Sequence, residues 1–289
     1  MSADRVRVTF FGTTSLHVTD GSTSLCIDAF LTRPSLPRVA LGRIAPDRAV
    51  IADALERGGV GALDAVFTAH SHYDHALDAP EVVAMRGGTL HGSDSTLNLG
   101  RGAGLDAARL RRIADGDVVR LGAFSVRVFE SRHSPGDAFP GEIDRPLRMP
   151  VRARALRTGA CFSFAITHPT GTVLVHPSAN VVPGMFAGVS ADVVYLGVGG
   201  LGRQPEHFRD TYWAEVVETT GAHLVVPVHW DDFTRPLTRP LRPFPRIVDR
   251  FPTTRRFLDA KHASGSARVR WQDAFETLTS LAPEAGAPQ

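Results

Sequence analysis

Lysine is nearly absent from this sequence: Lys261 is the single lysine, and arginine supplies the remaining positive charge. The acidic residues almost balance the arginines and leave a formal net charge of +2 over 289 residues. Nucleic-acid binding requires a concentrated basic surface. We therefore expect no nucleic-acid partner.

Cysteine and long apolar runs are also scarce. Cys26 and Cys161 are too few for a disulfide framework and lack the CxxC spacing of zinc or redox motifs, so we expect two buried, reduced thiols. No stretch approaches the roughly 18 apolar residues of a membrane span, and the N-terminus lacks the apolar core of a signal peptide. The expected protein is soluble and cytoplasmic, with no membrane span.

The order of the predicted elements indicates one layered α/β domain over residues 1–280. Strand-like and helix-like patterns alternate in two similar halves, about 1–115 and 116–235, and a C-terminal extension follows. This alternation is typical of mixed sheets covered by helices. A helix and turn are predicted at 105–117, and a disordered tail at 281–289.

Two segments without a regular period are expected to shape a pocket. Residues 31–45 are predicted to be a loop insertion, and residues 135–157, here called the flap, are rich in proline and arginine. Guanidinium groups bind phosphate and carboxylate in a bidentate manner, so the flap arginines could clamp an anionic substrate or simply form a solvated edge. These arginines are Arg145, Arg148, Arg152, Arg154 and Arg157.

The densest chemical signal is the stretch FTAHSHYDHALDAP at 67–80, which follows a short apolar strand pattern. In an extended chain, residues i, i+2 and i+4 lie on one side, so His70, His72 and Asp74 can converge. His75 lies on the opposite side or in the first turn of a helix, where it can reach a neighbouring ion. Imidazoles with a carboxylate suit zinc, and also iron or manganese.

Two distant histidines are placed to complete such a site. His133 follows the strand pattern VRVFES, and His229 ends the apolar run LVVPV. Loops at strand ends are where layered folds place functional residues. The sequence contains no HExxH, which excludes the helical zinc-protease arrangement.

With these residues in place, HSHYDH resembles the HxHxDH motif of the metallo-β-lactamase-fold hydrolases. The resemblance implies a four-layer αβ/βα sandwich with mixed sheets and a metal site at one edge. It implies one ion at His70, His72 and His133, and a second at the remaining ligands. Those ligands are Asp74, His75 and His229.

Further residues match by the same resemblance. Asp28 corresponds to an aspartate that often supports the family's site, and PVHWDDF at 227–233 is similar to the branch containing ascorbate-6-phosphate lactonase and N-acylphosphatidylethanolamine phospholipase D. Asp231 and Asp232 could orient an imidazole or be solvated loop residues. Tyr73 could bind a substrate or pack beside the site.

The sequence departs from the family pattern after the strand GTVLVH. The family places Gly-Asp there, with a carboxylate that bridges both metals, whereas this chain has Pro177 and Ser178. Ser178 and His176 are therefore candidate catalytic residues together with Asp74, although structural or substrate-binding roles for Ser178 and His176 outweigh a ligand role. The departure leaves open one ion, two unusually held ions or altered chemistry.

The expected function is a metal-dependent hydrolase. One or two Zn²⁺ ions, or Mn²⁺ or Fe²⁺, would activate water against a small ester, lactone, amide or phosphodiester. A non-hydrolytic, ligand-binding member that lacks the bridging aspartate is the alternative from another class. A nuclease or phosphodiesterase of the same fold is a further alternative.

Overall fold

Two seven-stranded mixed sheets form the centre of the molecule in the computed structural model, which describes residues 5–282. The first sheet contains, in spatial order, β14, β1, β2, β3, β4, β5 and β6. Its strands are β1 (Arg7–Phe10), β2 (Leu16–Thr19), β3 (Ser24–Ile27), β4 (Ala65–Phe67), β5 (Thr89–Gly92), β6 (Leu110–Arg112) and β14 (Thr277–Leu278).

The second sheet contains β13, β12, β11, β10, β9, β8 and β7 in spatial order. Its strands are β7 (Val118–Leu121), β8 (Phe124–Ser131), β9 (Cys161–His168), β10 (Gly171–His176), β11 (Val193–Gly197), β12 (Leu224–Val228) and β13 (Arg268–Val269). The chain thus completes β1–β6 of one sheet before it begins the other, and each sheet gains one short C-terminal strand.

The described residues form seven α-helices. They are α1 (Leu36–Leu41), α2 (Arg48–Arg57), α3 (Tyr73–Ala76), α4 (Ala79–Arg86), α5 (Asp94–Gly102), α6 (Glu206–Trp213) and α7 (Phe251–Ala263). A π-helical turn at Ala214–Glu218 extends α6, and 3₁₀ turns lie at Ala107–Arg109, Ala153–Ala155 and Leu201–Arg203. Among residues 5–282, no helix combines the length and apolar character needed to cross a bilayer.

The strand period of two residues explains how one strand serves two layers. In β4, Ala65 and Phe67 face the core between the sheets, while Val66 faces the apolar layer beneath α2 and α4. A comparable layer packs α6 and α7 on the second sheet. The arrangement is the αβ/βα sandwich expected from the sequence.

Local pattern and tertiary structure disagree at three places. The helix predicted at 105–117 is wrong, because Leu110–Arg112 pairs in parallel with β5 as strand β6 after a single 3₁₀ turn. The loop predicted at 31–45 contains the short helix α1. Leu281, assigned to the tail, packs in the core between the sheets, and residues 283–289 of that predicted tail lie outside the described residues. Both cysteines are buried free thiols.

Candidate metal centre

The first group of candidate ligands follows β4. The chain leaves the sheet at Thr68, bends at Ala69 and His72, and begins α3 at Tyr73. One ring nitrogen from each of His70, His72 and His133 lies within 4.8 Å of the others. The structure therefore brings the distant His133, just beyond β8, to two residues of the HSHYDH motif.

His70 is the most telling member of this group. It is 1% exposed, and neither Nδ1 nor Nε2 has a hydrogen-bond partner among the described residues. Buried polar atoms are almost always paired, and leaving them unpaired costs free energy. A metal ion would satisfy one of these nitrogens, so the burial and chemistry of His70 fit a role as a metal ligand.

In each of the other two histidines of the group, one ring nitrogen has a hydrogen-bond partner within the chain. His72 Nε2 lies 3.0 Å from Thr158 Oγ1 and 3.3 Å from Asp137 Oδ1, both contributed by the flap and the residue after it. His133 Nδ1 donates to the carbonyl of Ser134 at 2.8 Å. These bonds place the proton on the occupied nitrogen, which leaves His72 Nδ1 and His133 Nε2 as lone-pair donors.

The second group contains Asp74, His75 and His229, whose candidate ligand atoms also lie within 4.8 Å of one another. Asp74 Oδ2 is 3.2 Å from His229 Nε2 and 3.7 Å from His75 Nε2. His75 Nδ1 donates to Asp28 Oδ2 at 2.7 Å, so its Nε2 is left free toward Asp74. Asp28 is itself held by the Ala69 amide, at 2.7 Å.

Burial and neighbouring charge act in opposite directions on the pKa values of this site. Burial lowers the pKa of His70 well below its ordinary value, and the surrounding histidines lower it further. Burial would also lower the pKa of His75, but the carboxylates of Asp28 and Asp74 outweigh it and raise that pKa. Burial alone would raise the pKa of Asp74, yet the charges of His75 and His229 hold it below its ordinary value.

The donor set fits divalent metal ions. Five imidazoles and one carboxylate are ligands that zinc, iron and manganese accept in proteins. The first group is neutral when its histidines are deprotonated, and Asp74 gives the second group one negative charge. Histidine and aspartate side chains at this centre are thus positioned for metal binding.

The family model of the beta-lactamase superfamily domain matches residues 25–230, which cover every candidate ligand. The chain belongs to the beta-lactamase superfamily. No curated protein matches the sequence at a significant level.

Solved structures of the superfamily have the same fold over nearly the whole chain. Igni18, a metallo hydrolase from Ignicoccus hospitalis, is 19% identical with a TM-score of 0.60, and the match covers 94% of this chain and 97% of Igni18. An isothiocyanate hydrolase from Delia radicum gut bacteria is 14% identical with a TM-score of 0.56, over 94% and 98% of the two chains.

CmlA, a diiron β-hydroxylase from Streptomyces venezuelae, is 17% identical with a TM-score of 0.55, over 96% of this chain and 54% of CmlA. At such identities these likenesses show the shared fold.

At the superfamily's Gly-Asp position this chain has Pro177 and Ser178, which are buried. Ser178 is 5% exposed, and its carbonyl accepts from the Asn180 amide at 2.8 Å. In the described part of the chain, Asp74 is the only carboxylate in either ligand group. The bridging carboxylate expected at this place therefore has no substitute within the two groups.

His176 has protein partners on both nitrogens. Its Nδ1 lies 2.7 Å from Ser163 Oγ, and its Nε2 donates to the Asn180 carbonyl at 2.8 Å. Burial lowers its pKa to about 4, so the ring is neutral at ordinary pH. The Asn180 side chain in turn donates to the His133 carbonyl at 2.7 Å. These contacts favour the structural alternative for His176, and a catalytic role for His176 or Ser178 stays a prediction.

His229 is supported from behind by Thr13, Asp231 and Arg33. The His229 amide donates to the Thr13 carbonyl at 2.5 Å, and the Thr13 amide donates to Asp231 Oδ1 at 2.7 Å. Asp231 Oδ2 accepts from Arg33 Nη1 at 2.7 Å, and both side chains are fully buried. Asp231 is thus neither solvated nor in hydrogen-bond contact with the imidazole. It fixes the backbone of Thr13, and Thr13 in turn fixes the backbone of His229.

Thr13, Arg33 and His229 all have positive φ, a conformation that non-glycine residues rarely adopt. Gly199 completes this arrangement because a Cβ there would lie 2.8 Å from His229 Nδ1. Local sequence carries no signal for contacts such as that between Thr13 and Asp231, which are 218 residues apart.

Proposed function

We propose that the protein is a metal-dependent hydrolase that holds one ion at His70, His72 and His133 and another at Asp74, His75 and His229. The observation that carries this proposal is the pair of convergent ligand groups, one of which includes a buried histidine with two unpartnered nitrogens. We propose Zn²⁺ as the resident ion, with Mn²⁺ or Fe²⁺ as the alternatives that the same ligands accept.

Ions bound at these groups would lower the pKa of a water molecule far enough to supply hydroxide near neutral pH, and would polarise the substrate's carbonyl or phosphoryl oxygen. The chain's own residues fix the donors for that chemistry. Asp28 holds the His75 tautomer, and Asp137 with Thr158 holds that of His72. Asp74 stays ionised and lies between the His75 and His229 rings, where it can orient a water molecule and accept its proton.

The net reaction adds water across an ester, lactone, amide or phosphodiester. The bond from carbon or phosphorus to the leaving atom breaks, the electrophilic atom gains a hydroxyl group, and the leaving atom gains a proton. The similarity of PVHWDDF to the branch with ascorbate-6-phosphate lactonase and N-acylphosphatidylethanolamine phospholipase D is the reason to include lactones and phosphodiesters.

The test combines metal analysis with a substrate panel. Purified protein should contain transition metal by mass spectrometry and hydrolyse at least one of the four substrate classes. His72→Ala should lose metal and activity, while His207→Ala, which removes an exposed histidine on α6, should retain both. Absence of metal together with unchanged activity in His72→Ala would refute the proposal.

The missing bridging carboxylate supports one second candidate, a ligand-binding member without hydrolytic activity. Ser178 leaves the two ligand groups without a shared protein carboxylate, so the ions could be held and substrate bound without turnover. In that case the protein would retain metal and bind substrate analogues, but every member of the panel would remain intact.

A further inference from the structure

A fourth apolar cluster, separate from the layers that pack the two sheets, lies beside the metal centre. It is built mainly from the two segments that lack a regular period in the sequence, 31–45 and the flap, together with α3 and α5. Its buried members are Phe30, Ile44, Ala76, Leu77, Leu99, Ile143, Ala153 and Leu156. The flap therefore folds inward through its apolar side chains.

Half-buried aromatic rings extend this cluster to both ligand groups. Phe139 of the flap lies 6.2 Å from His72, between ring centroids, and Phe233 lies 5.4 Å from His229. Tyr73 lies 6.1 Å from Phe233 and belongs to the same cluster. Each ligand group thus has an aromatic ring against one of its histidines, and these rings remain partly open to solvent.

The flap arginines lie at the solvent-exposed surface of the flap. All five are exposed, and none forms a described hydrogen bond or ion pair with a candidate metal ligand. Arg157 donates to the carbonyl of Pro140 on the flap itself. Burial lowers the pKa of His72 and of His133, and the smaller contributions to these shifts come from neighbouring histidines, carboxylates and backbone carbonyls. The arrangement favours the solvated-edge alternative for these arginines over an anion clamp.

We propose that Tyr73, Phe139 and Phe233 form a subsite for an uncharged aliphatic or aromatic group of the substrate, next to the bond that is hydrolysed. This inference rests on the proposed function and specifies its substrate class. Partly exposed rings that border a metal centre gain by covering apolar surface, and each buried methylene contributes about fourfold in affinity. A carboxylate placed on the same rings would lose hydration without gaining a described arginine partner.

The first experiment measures binding and does not depend on turnover. Alkyl hydroxamates from acetyl to octanoyl, which anchor on metal, are titrated into the metal-loaded protein by calorimetry. We expect affinity to rise about fourfold per methylene over the first few carbons. The hemihydroxamate of suberic acid, which has the same chain with a terminal carboxylate, should bind at least tenfold more weakly than octanohydroxamate.

Two variants localise the effect. Phe233→Ala and Phe139→Ala should flatten the chain-length dependence while metal content stays unchanged, and Phe233→Leu should restore most of it. Phe208→Ala, which truncates a half-buried ring that packs on Tyr212 in α6, is the matched control and should keep the full dependence. The same series of 4-nitrophenyl esters then tests whether the preference appears in KM.

The outcomes separate the two proposals. A metal-loaded protein whose hydroxamate affinity is independent of chain length, or that favours the suberic derivative, overturns the apolar subsite and leaves the hydrolase proposal intact. A protein that binds no metal fails the proposed function itself. A chain-length dependence that persists unchanged in Phe139→Ala and Phe233→Ala also overturns the subsite, because it would place the apolar group elsewhere.

Discussion

Replacing Asp231 by asparagine removes the negative charge beside the buried guanidinium of Arg33 while it keeps the shape of the side chain. Asparagine Oδ1 can still accept from the Thr13 amide, as Asp231 Oδ1 does at 2.7 Å. Its Nδ2 would face Arg33 Nη1, which now lies 2.7 Å from Asp231 Oδ2. The variant thus sets two donors against each other and leaves a buried cation without its counter-ion.

The expected cost follows from the burial of the pair. Both side chains are 0% exposed, so water cannot solvate the guanidinium when the carboxylate is lost. Arg33 Nη2 has only longer contacts, at 3.2 Å to the Phe11 carbonyl and 3.3 Å to Thr13 Oγ1. Removing one partner of a buried ion pair costs about 3–5 kcal/mol. That loss is a large part of the roughly 5–15 kcal/mol by which a domain is stable.

Urea denaturation of the metal-free protein, followed by fluorescence, measures this loss. The matched control is Asp259→Asn, whose pair with Arg255 on α7 is about half exposed and should contribute only about 0.3–0.5 kcal/mol. The double variant Arg33→Met with Asp231→Asn should recover much of the stability, because no charge is then left unpaired and asparagine Oδ1 can still accept from the Thr13 amide. A loss below about 1 kcal/mol in Asp231→Asn, similar to the control, would refute the reasoning.

Three other measurements address individual side chains. Asp28→Asn removes the negative charge beside His75 Nδ1 and should weaken metal binding at the second group about 10- to 100-fold in a chelator competition; equal weakening at both groups would contradict this. In metal-free protein, His70→Leu should raise the free energy of unfolding by about 1–3 kcal/mol in urea titrations, since it removes two unpartnered nitrogens; a decrease would show that the ring has partners in solution. Burial, and then the charge of Arg7, lower the pKa of His17 from 6.5 to about 4. With respect to His17, the folded state therefore keeps its full stability above pH 6.5. As pH falls toward 4, protonation of His17 in the unfolded chain lowers the free energy of unfolding by about 3 kcal/mol. His17→Gln should reduce the acid dependence of urea midpoints, and an unchanged dependence would exclude His17 as its source.

The ligand cluster could be predicted because it is local. His70, His72, Asp74 and His75 lie within six residues, directly after an apolar strand, and the strand period brings alternate residues to one side. His133 and His229 could be added because each follows a strand pattern, and strand ends meet at one edge of a layered fold. The structure brings these residues into two groups, and the family match covers all of them.

The element errors have a common cause. Residues 105–117 have apolar spacing that suits a helix, yet Leu110 pairs with Leu90 in β5, and strand pairing overrides a weak local preference. Helix α1 within 31–45 could not be predicted either, because it has no buried residue and so no apolar face to produce a helical pattern in the sequence. Short elements at the surface are specified by what they pack against rather than by their own period.

The sequence by itself determined the layered fold and the identity of the six candidate ligands, because strand alternation and residue chemistry are local properties of the chain. Only the tertiary structure decided which side chains support those ligands. Asp231 reaches Thr13 from 218 residues away, and Phe139 of the flap reaches His72, whereas support from Asp28, which bonds to His75, was already implied by the family resemblance. Such contacts arise where folding brings distant segments together, so their energies depend on burial and geometry that no single segment encodes.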